Sequence, residues 1–142
     1  MDVDRRELAA RLDDVVIGLR RLTLDRQGLS LTAAATLLTL RRSGPARLTD
    51  LAVAEGVSQP SMTALIGRLT TTGLVQRRTD PGDGRAVLIT LTDAGADLLD
   101  RRREARAVRL AGPLAGLPDD DVRAITAALP ALARLAGVPT HS

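Results

Sequence analysis

The 142-residue sequence predicts a mainly helical α+β fold with one small β-hairpin, and three observations predict it. Apolar residues recur at three- and four-residue steps in long stretches near both ends of the chain. Between them lie two short helical stretches joined by a glycine turn. A pair of β-branched runs around a Pro/Gly/Asp turn follows directly.

Taken in order, Leu8, Leu12, Val15, Val16, Leu19 and Leu22 form one stripe on a helix from Val3 to about Leu24, and Asp2, Asp4 and Glu7 sit near its start, where acidic groups favour the helix dipole. A second helix is expected from Thr32 to Arg42, capped by Ser30 or Thr32 and stopped by Ser43-Gly44-Pro45. A third takes Thr49 as its N-cap, runs through Leu51, Ala52 and Ala54, and ends at Glu55-Gly56, where glycine supplies a left-handed C-cap. After the turn Gly56-Val57-Ser58, Ser58 caps a fourth helix with Pro60 in its first turn, where the missing N–H costs nothing. Met62, Leu65, Ile66 and Leu69 form its inner stripe, leaving Gln59, Ser61, Thr63, Ala64, Gly67 and Arg68 outward. Past Gly73, the runs 74–78 and 85–91 flank Asp80-Pro81-Gly82-Asp83-Gly84 as a hairpin with a flexible, charged tip. Thr92 or Asp93 caps a fifth helix reaching roughly to Leu110 and carrying Arg101, Arg102, Arg103, Arg106 and Arg109. A sixth runs from about Pro118 to Ala136, with Val122, Ile125, Leu129, Leu132 and Leu135 on one face and Pro130 expected to kink it.

Composition narrows the function classes. An apolar fraction of 44% and a charged fraction of 26% are those of a soluble globular protein, and the length suits a single domain over 1–142. All 20 basic residues are arginine and the net charge is +3, a bias that suits phosphate or carboxylate partners and that a GC-rich genome would also encode. The absence of cysteine excludes disulfides, thiolate zinc sites and thiol redox sensing. Catalysis is not expected: the single histidine, His141, lies in a terminal tail, and no cysteine or lysine can serve as nucleophile or base. Asp13-Asp14 and Asp119-Asp120-Asp121 read as a solvated helix face and a helix start. Neither a phosphate loop nor metal-ligand spacing occurs, so no cofactor or metal is expected. The amino terminus is charged and no apolar run approaches the roughly 18 residues of a membrane span, so no membrane partner is expected and the cytoplasm is the expected compartment.

Two short helices joined by a glycine-containing turn, the second polar on its outer face, make a helix-turn-helix, although such pairs also occur in helical bundles. The basic hairpin that follows makes the element a winged helix-turn-helix, about 31–92, with 1–25 and 93–142 as flanking helical segments. A major groove roughly 12 Å wide admits a helix whose outer side chains are small or can hydrogen-bond. Gln59 could then pair with adenine, Arg68 with guanine or a phosphate, and Ser61 and Thr63 with phosphates or either base type. Arg85 lies just past the turn and suits a narrow minor groove, with Asp83 placed to orient its guanidinium in a local ion pair. Arg77 and Arg78 alternate along their strand, so only one of the two is expected to face phosphate. The alternative is a winged helix used for protein contact or dimerisation without specific DNA binding. The arginines of the fifth helix fit either reading.

The stretch Leu48 to Gly95 resembles the DNA-binding core of the MarR (multiple antibiotic resistance regulator) family. The resemblance rests on Val57-Ser58-Gln59-Pro60, Gly73-Leu74-Val75, Asp83-Gly84-Arg85 and Leu91-Thr92-Asp93-Ala94-Gly95. It implies a homodimer held by its first and last helices, for which Leu8, Leu12, Val15, Leu19, Val122, Ile125, Leu129 and Leu132 are suitable; burial within one subunit is the other reading of these stripes. It further implies a sequence-specific regulator, commonly a repressor, on a pseudo-palindromic operator of double-stranded DNA. The contacts would come from Ser58, Gln59, Pro60, Ser61, Thr63, Ala64, Gly67, Arg68, Arg77, Arg78, Asp83 and Arg85, with Arg85 in the minor groove. Relatives commonly release DNA on binding a small molecule, often in a pocket lined by aromatic residues. This chain has 0% aromatic residues, so an effector would bind without aromatic stacking. Position 84, often arginine in the family, is glycine here, which implies a weaker or more flexible grip at the wing tip.

Overall fold

Residues 3–24 and 28–139 are described in the computed structural model; Asp2 and His141 lie outside them. The chain divides into two compact units, Asp25–Ala105 and Met1–Leu24 with Arg106–Ser142.

In the first unit, α2 (Leu31–Ser43) starts where Ser30 Oγ accepts the Ala33 N–H at 3.2 Å and stops at Gly44, whose φ of 76° lies in the left-handed region. The two-residue strand β1 (Ala46–Arg47) runs straight into α3 (Leu48–Glu55). That helix begins two residues earlier than its sequence suggests and is not capped by Thr49: the N-cap is Arg47, which has no side-chain capping bond because guanidinium cannot accept one. Gly56, at φ 64°, ends α3 as expected, and Ser58 Oγ caps α4 (Gln59–Thr71) by accepting the Ser61 N–H at 3.2 Å.

The antiparallel sheet has the order β1-β3-β2, with β2 (Val75–Asp80) and β3 (Asp83–Leu91) forming the hairpin. The turn is tighter than the five residues expected from sequence. Asp80 pairs with Asp83, so only Pro81 and Gly82 remain in the loop, and Asp83-Gly84 belong to β3. Gly82 does not adopt a positive φ, so the turn is not one of the left-handed pair that matches strand twist, and the register of the hairpin shifts between Thr79 and Asp80.

The core lies under these elements. Leu37, Leu51, Met62, Ile66, Val75 and Ile89 are fully buried, and α4 buries the stripe Met62, Leu65, Ile66 and Leu69 read from its period. Each such side chain contributes roughly 1.5–3 kcal/mol of transfer free energy. Thr36, also buried, donates its hydroxyl to the Thr32 carbonyl at 2.8 Å and so leaves no polar atom unmet. Across the unit, Thr39 Oγ1 donates to Glu55 Oε1 at 2.7 Å, joining α2 to α3.

The wing closes onto the start of α5 (Asp93–Ala115) through Thr92. Its Oγ1 donates to the Gly73 carbonyl at 2.6 Å and accepts the Gly95 N–H at 3.1 Å. At Gly95 a Cβ would lie 2.3 Å from the Leu74 carbonyl oxygen, so the backbone approach demands glycine. Helix α5 runs past the expected end near Leu110, through Pro113. Proline there removes one N–H within a helix that other residues continue to hold.

The second unit contains α1 (Arg5–Thr23), the end of α5 and α6 (Asp119–Ala136). Asp4 caps α1 by accepting from Arg6 and Glu7, and Arg109 Nη1 donates to the Thr23 carbonyl at 3.4 Å. Helix α6 continues through Pro130 to Gly137, at φ 64°. Neither α1 nor α6 contains a buried residue. Among the described residues, no helix is long and apolar enough to cross a membrane.

Candidate nucleic-acid interface

Successive helical residues are about 100° apart, so the burial of Met62, Leu65, Ile66 and Leu69 fixes which side of α4 meets solvent. Opposite the buried stripe stand Pro60, Ala64, Gly67 and Thr71, a ridge of small side chains. Gln59 and Thr63 flank it on one side, and Ser61 and Arg68 on the other. Ser58, Gln59, Pro60, Ser61, Thr63, Ala64 and Arg68 are exposed and Gly67 is half-buried. Glycine at 67 is not demanded by packing, since a Cβ there would meet nothing within 4 Å.

Local hydrogen bonds set what these hydroxyls can offer. Thr63 Oγ1 already donates to the Gln59 carbonyl at 2.9 Å, and Thr71 Oγ1 to the Gly67 carbonyl at 3.0 Å. Both can still accept, which suits the amino group of adenine or cytosine rather than a phosphate. Ser58 Oγ donates to Ser61 Oγ at 2.9 Å, leaving Ser61 the free proton of the pair.

On the wing, register separates the two neighbouring arginines. Arg77 lies in the row with Ile89 and Ala46, whereas Arg78 lies in the row with Leu88 and Arg47. Successive strand residues point to opposite faces, so the expected alternation of Arg77 and Arg78 holds. Arg85 is exposed, but the expected ion pair between Asp83 and the Arg85 guanidinium is replaced by a different arrangement. Asp83 Oδ1 accepts the Arg85 backbone N–H at 3.1 Å, and Asp83 Oδ2 lies 3.9 Å from Arg47 Nη2. The same guanidinium reaches Asp80 Oδ2 at 3.3 Å. Asp80 Oδ1 accepts the Gly82 N–H at 2.9 Å, and this bond, then Arg47, holds the Asp80 carboxyl below its ordinary value of 3.8.

Sequence reasoning therefore missed two residues of this surface. Thr71 could have been found by extending the outward face one more turn. Arg47 could not, because its neighbours come from strand pairing across the sheet.

A depression of about 270 Å³ lies between the start of α2 and the back of α4, with Leu29, Ala33, Leu65 and Leu69 as apolar walls and Arg68 at its edge. Among the described residues, no group of His, Asp and Glu side chains could hold a metal ion.

Comparison with known proteins agrees with this geometry. The MarR family pattern matches residues 29–87. An HTH-type transcriptional regulator of Mycobacterium bovis is 38% identical over 120 residues, covering 82% of this chain and 83% of the relative. The crystal structure of RV1404 from Mycobacterium tuberculosis has the same fold, with a TM-score of 0.83 over 100% of both chains at 21% identity. BpsR of Bordetella bronchiseptica, whose structure concerns regulation of its DNA binding by 6-hydroxynicotinic acid, is 25% identical with a TM-score of 0.56, covering 92% of this chain and 93% of its own. The Mycobacterium bovis relative and the matched family are transcriptional regulators rather than enzymes, and the chain belongs to the MarR family of winged helix-turn-helix, DNA-binding transcriptional regulators.

Proposed function

We propose that the protein is a repressor that binds a pseudo-palindromic operator as a homodimer, the whole chain 1–142 acting as one functional domain. The observation that carries this reading is the pairing, in one compact unit, of a helix with a ridge of small outward side chains and an arginine-bearing wing. Ser58 to Arg68 would enter the major groove, with Gln59 and Arg68 reading base edges and Ser61 holding a phosphate. Arg85 would enter the minor groove, Asp83 would fix its backbone, and Arg78 or Arg77 would flank it on phosphate.

The second unit supports the homodimer reading. Leu8, Val15 and Leu19 of α1, and Val122, Ile125, Leu129 and Leu132 of α6, are exposed in the single chain, with Leu12 partly covered. Exposed apolar faces of this extent call for a partner, and a second copy makes a symmetric one. Half-sites would then lie roughly 10 bp apart. A small acidic effector could release the operator by seating its apolar body on the walls of the α2–α4 depression and its carboxylate on Arg68. Such a ligand lowers DNA affinity only if it binds the DNA-free conformation more tightly.

The test is binding of the purified protein to DNA upstream of its own coding region at several salt concentrations, beside Arg85→Ala. Saturable, salt-sensitive binding that exceeds binding to random DNA and weakens in the variant is expected. No preference there, nor after selection from random sequences, would end the operator reading.

A further inference from the structure

We propose that Arg47 is a positioning residue for the wing, acting on DNA binding through Asp80 and Asp83 rather than by touching DNA itself. The proposal rests on the DNA-binding reading above and adds a residue to it.

Position 47 is a poor place for arginine if only helix formation matters. It is the N-cap of α3, where a side chain that accepts from the first turn is favoured, and arginine has no acceptor. The guanidinium is instead used at the opposite side of the sheet. Arg47 belongs to β1, the edge strand next to β3, and its Nη2 spans to Asp80 on β2 at 3.3 Å and to Asp83 on β3 at 3.9 Å. One cation thus faces both carboxylates that close the hairpin.

Each carboxylate uses its other oxygen to fix a turn backbone. Asp80 Oδ1 holds the Gly82 N–H, and Asp83 Oδ1 holds the Arg85 N–H. A carboxylate anchored on one side by a backbone donor and on the other by guanidinium has little freedom to rotate. The arrangement therefore sets the chain direction at the residue that would enter the minor groove. It also offsets two negative charges that would otherwise lie beside the DNA backbone, where like-charge repulsion disfavours approach. With the loop reduced to Pro81-Gly82 and glycine at position 84, neither loop length nor a second tip arginine can do this instead.

The experiment is a cycle of variants: wild type, Arg47→Ala, Asp80→Asn/Asp83→Asn, and all three substitutions, each measured against a selected operator across a salt series. Asparagine keeps the acceptor for the Gly82 and Arg85 amides while removing the charge. Arg47→Ala is expected to weaken operator binding about tenfold in the wild-type background and less than about twofold once both aspartates are asparagine, because the two changes act through one contact. Equal loss in both backgrounds, with the log–log salt slope reduced by about one, would show that Arg47 touches a phosphate and would overturn the proposal. No loss in the wild-type background would overturn it as well. Amide exchange without DNA keeps this separate from the operator reading: the Gly82 and Arg85 amides should exchange several-fold faster in Arg47→Ala, even if no operator is found. Unchanged exchange rates would remove the positioning role. Thermal midpoints verify that all four proteins fold.

Discussion

The two units solve the same problem of apolar surface in opposite ways. In the helix-turn-helix unit, the stripes of α2, α3 and α4 converge with Val75 and Ile89 of the sheet on one core. In the helical unit, α1 and α6 have stripes of comparable regularity and bury none of their residues; Leu8 is 53% exposed and Leu129 is 54% exposed. A helical period shows that a face needs a partner, but not whether that partner lies in the same chain. The proposed roles divide in the same way: in that reading the unit with its own core faces DNA and the other offers surface to a second copy.

The largest effect should come from breaking the unit that lacks a core. Ile125→Glu combined with Leu129→Glu puts charges on the exposed α6 face, where nothing in the single chain buries them. Sedimentation should show conversion of dimer to monomer. Operator affinity should fall by roughly 10²–10⁴-fold, the advantage that joining two half-site contacts confers. A dimer that persists unchanged would assign these side chains to some other contact.

Within the unit that has a core, the corresponding break is at the wing's root. Gly95→Ala places a methyl 2.3 Å from the Leu74 carbonyl oxygen, a backbone atom that cannot swing aside, and 2.6 Å from Leu91 Cδ1. A loss of about 3 kcal/mol is expected from overpacking, visible as a lower thermal midpoint at every protein concentration. The α6 double variant should instead lose stability in a concentration-dependent way. If Gly95→Ala melted like wild type, the close approach would be relieved by a backbone shift and the Thr92–Gly95 junction would be looser than its hydrogen bonds indicate.

How much of this could be read from sequence follows the range of the interactions involved. Ser30, Ser58 and Gly56 were legible as caps because a cap is settled within four residues. The inner stripe of α4 was legible from its period, and with it the outward side chains Gln59 to Arg68. The strand β1 was not, since two residues carry no alternation, and its pairing partners Leu88 and Ile89 are some forty positions away. Missing β1 displaced the start of α3 to Thr49 and concealed Arg47. It also left Asp83 with only Arg85 as an obvious partner, whereas the sheet supplies a closer arrangement. Helix α5 runs past the expected end near Leu110 and through Pro113, because one absent N–H does not end a helix.

Gly67 gives a finer test, because it separates folding from recognition at one atom. A Cβ at 67 enters open space, and alanine in place of a mid-helix glycine should raise stability by about 0.5–1 kcal/mol. On the ridge between Ala64 and Thr71, however, the same methyl would stand between the helix and the groove floor. Gly67→Ala should therefore melt higher than wild type while binding its operator several-fold more weakly, as judged by calorimetry and by fluorescence anisotropy. Unchanged affinity would mean that the ridge does not approach the bases closely and that the flanking Thr63 and Arg68 carry recognition.

The smallest effect is the titration of Asp80, and its sign discriminates between a held and a loose wing. Its folded value is depressed, chiefly by the Gly82 N–H and next by Arg47, so any contribution is present above the unfolded value of 3.8 and is lost as pH falls through the lower folded value. Operator binding between pH 6 and 8 should therefore show no change traceable to Asp80. Carboxyl chemical shifts followed by NMR should place its midpoint below 3.8 in the wild type and closer to it, yet still depressed, in Arg47→Ala, where the Gly82 bond remains but is held less firmly. A midpoint at the ordinary value in the wild type would mean that neither bond is held in solution. The exposed wing would then be ordered only against DNA, and the firmly held part of its unit would stop at the edge of the core.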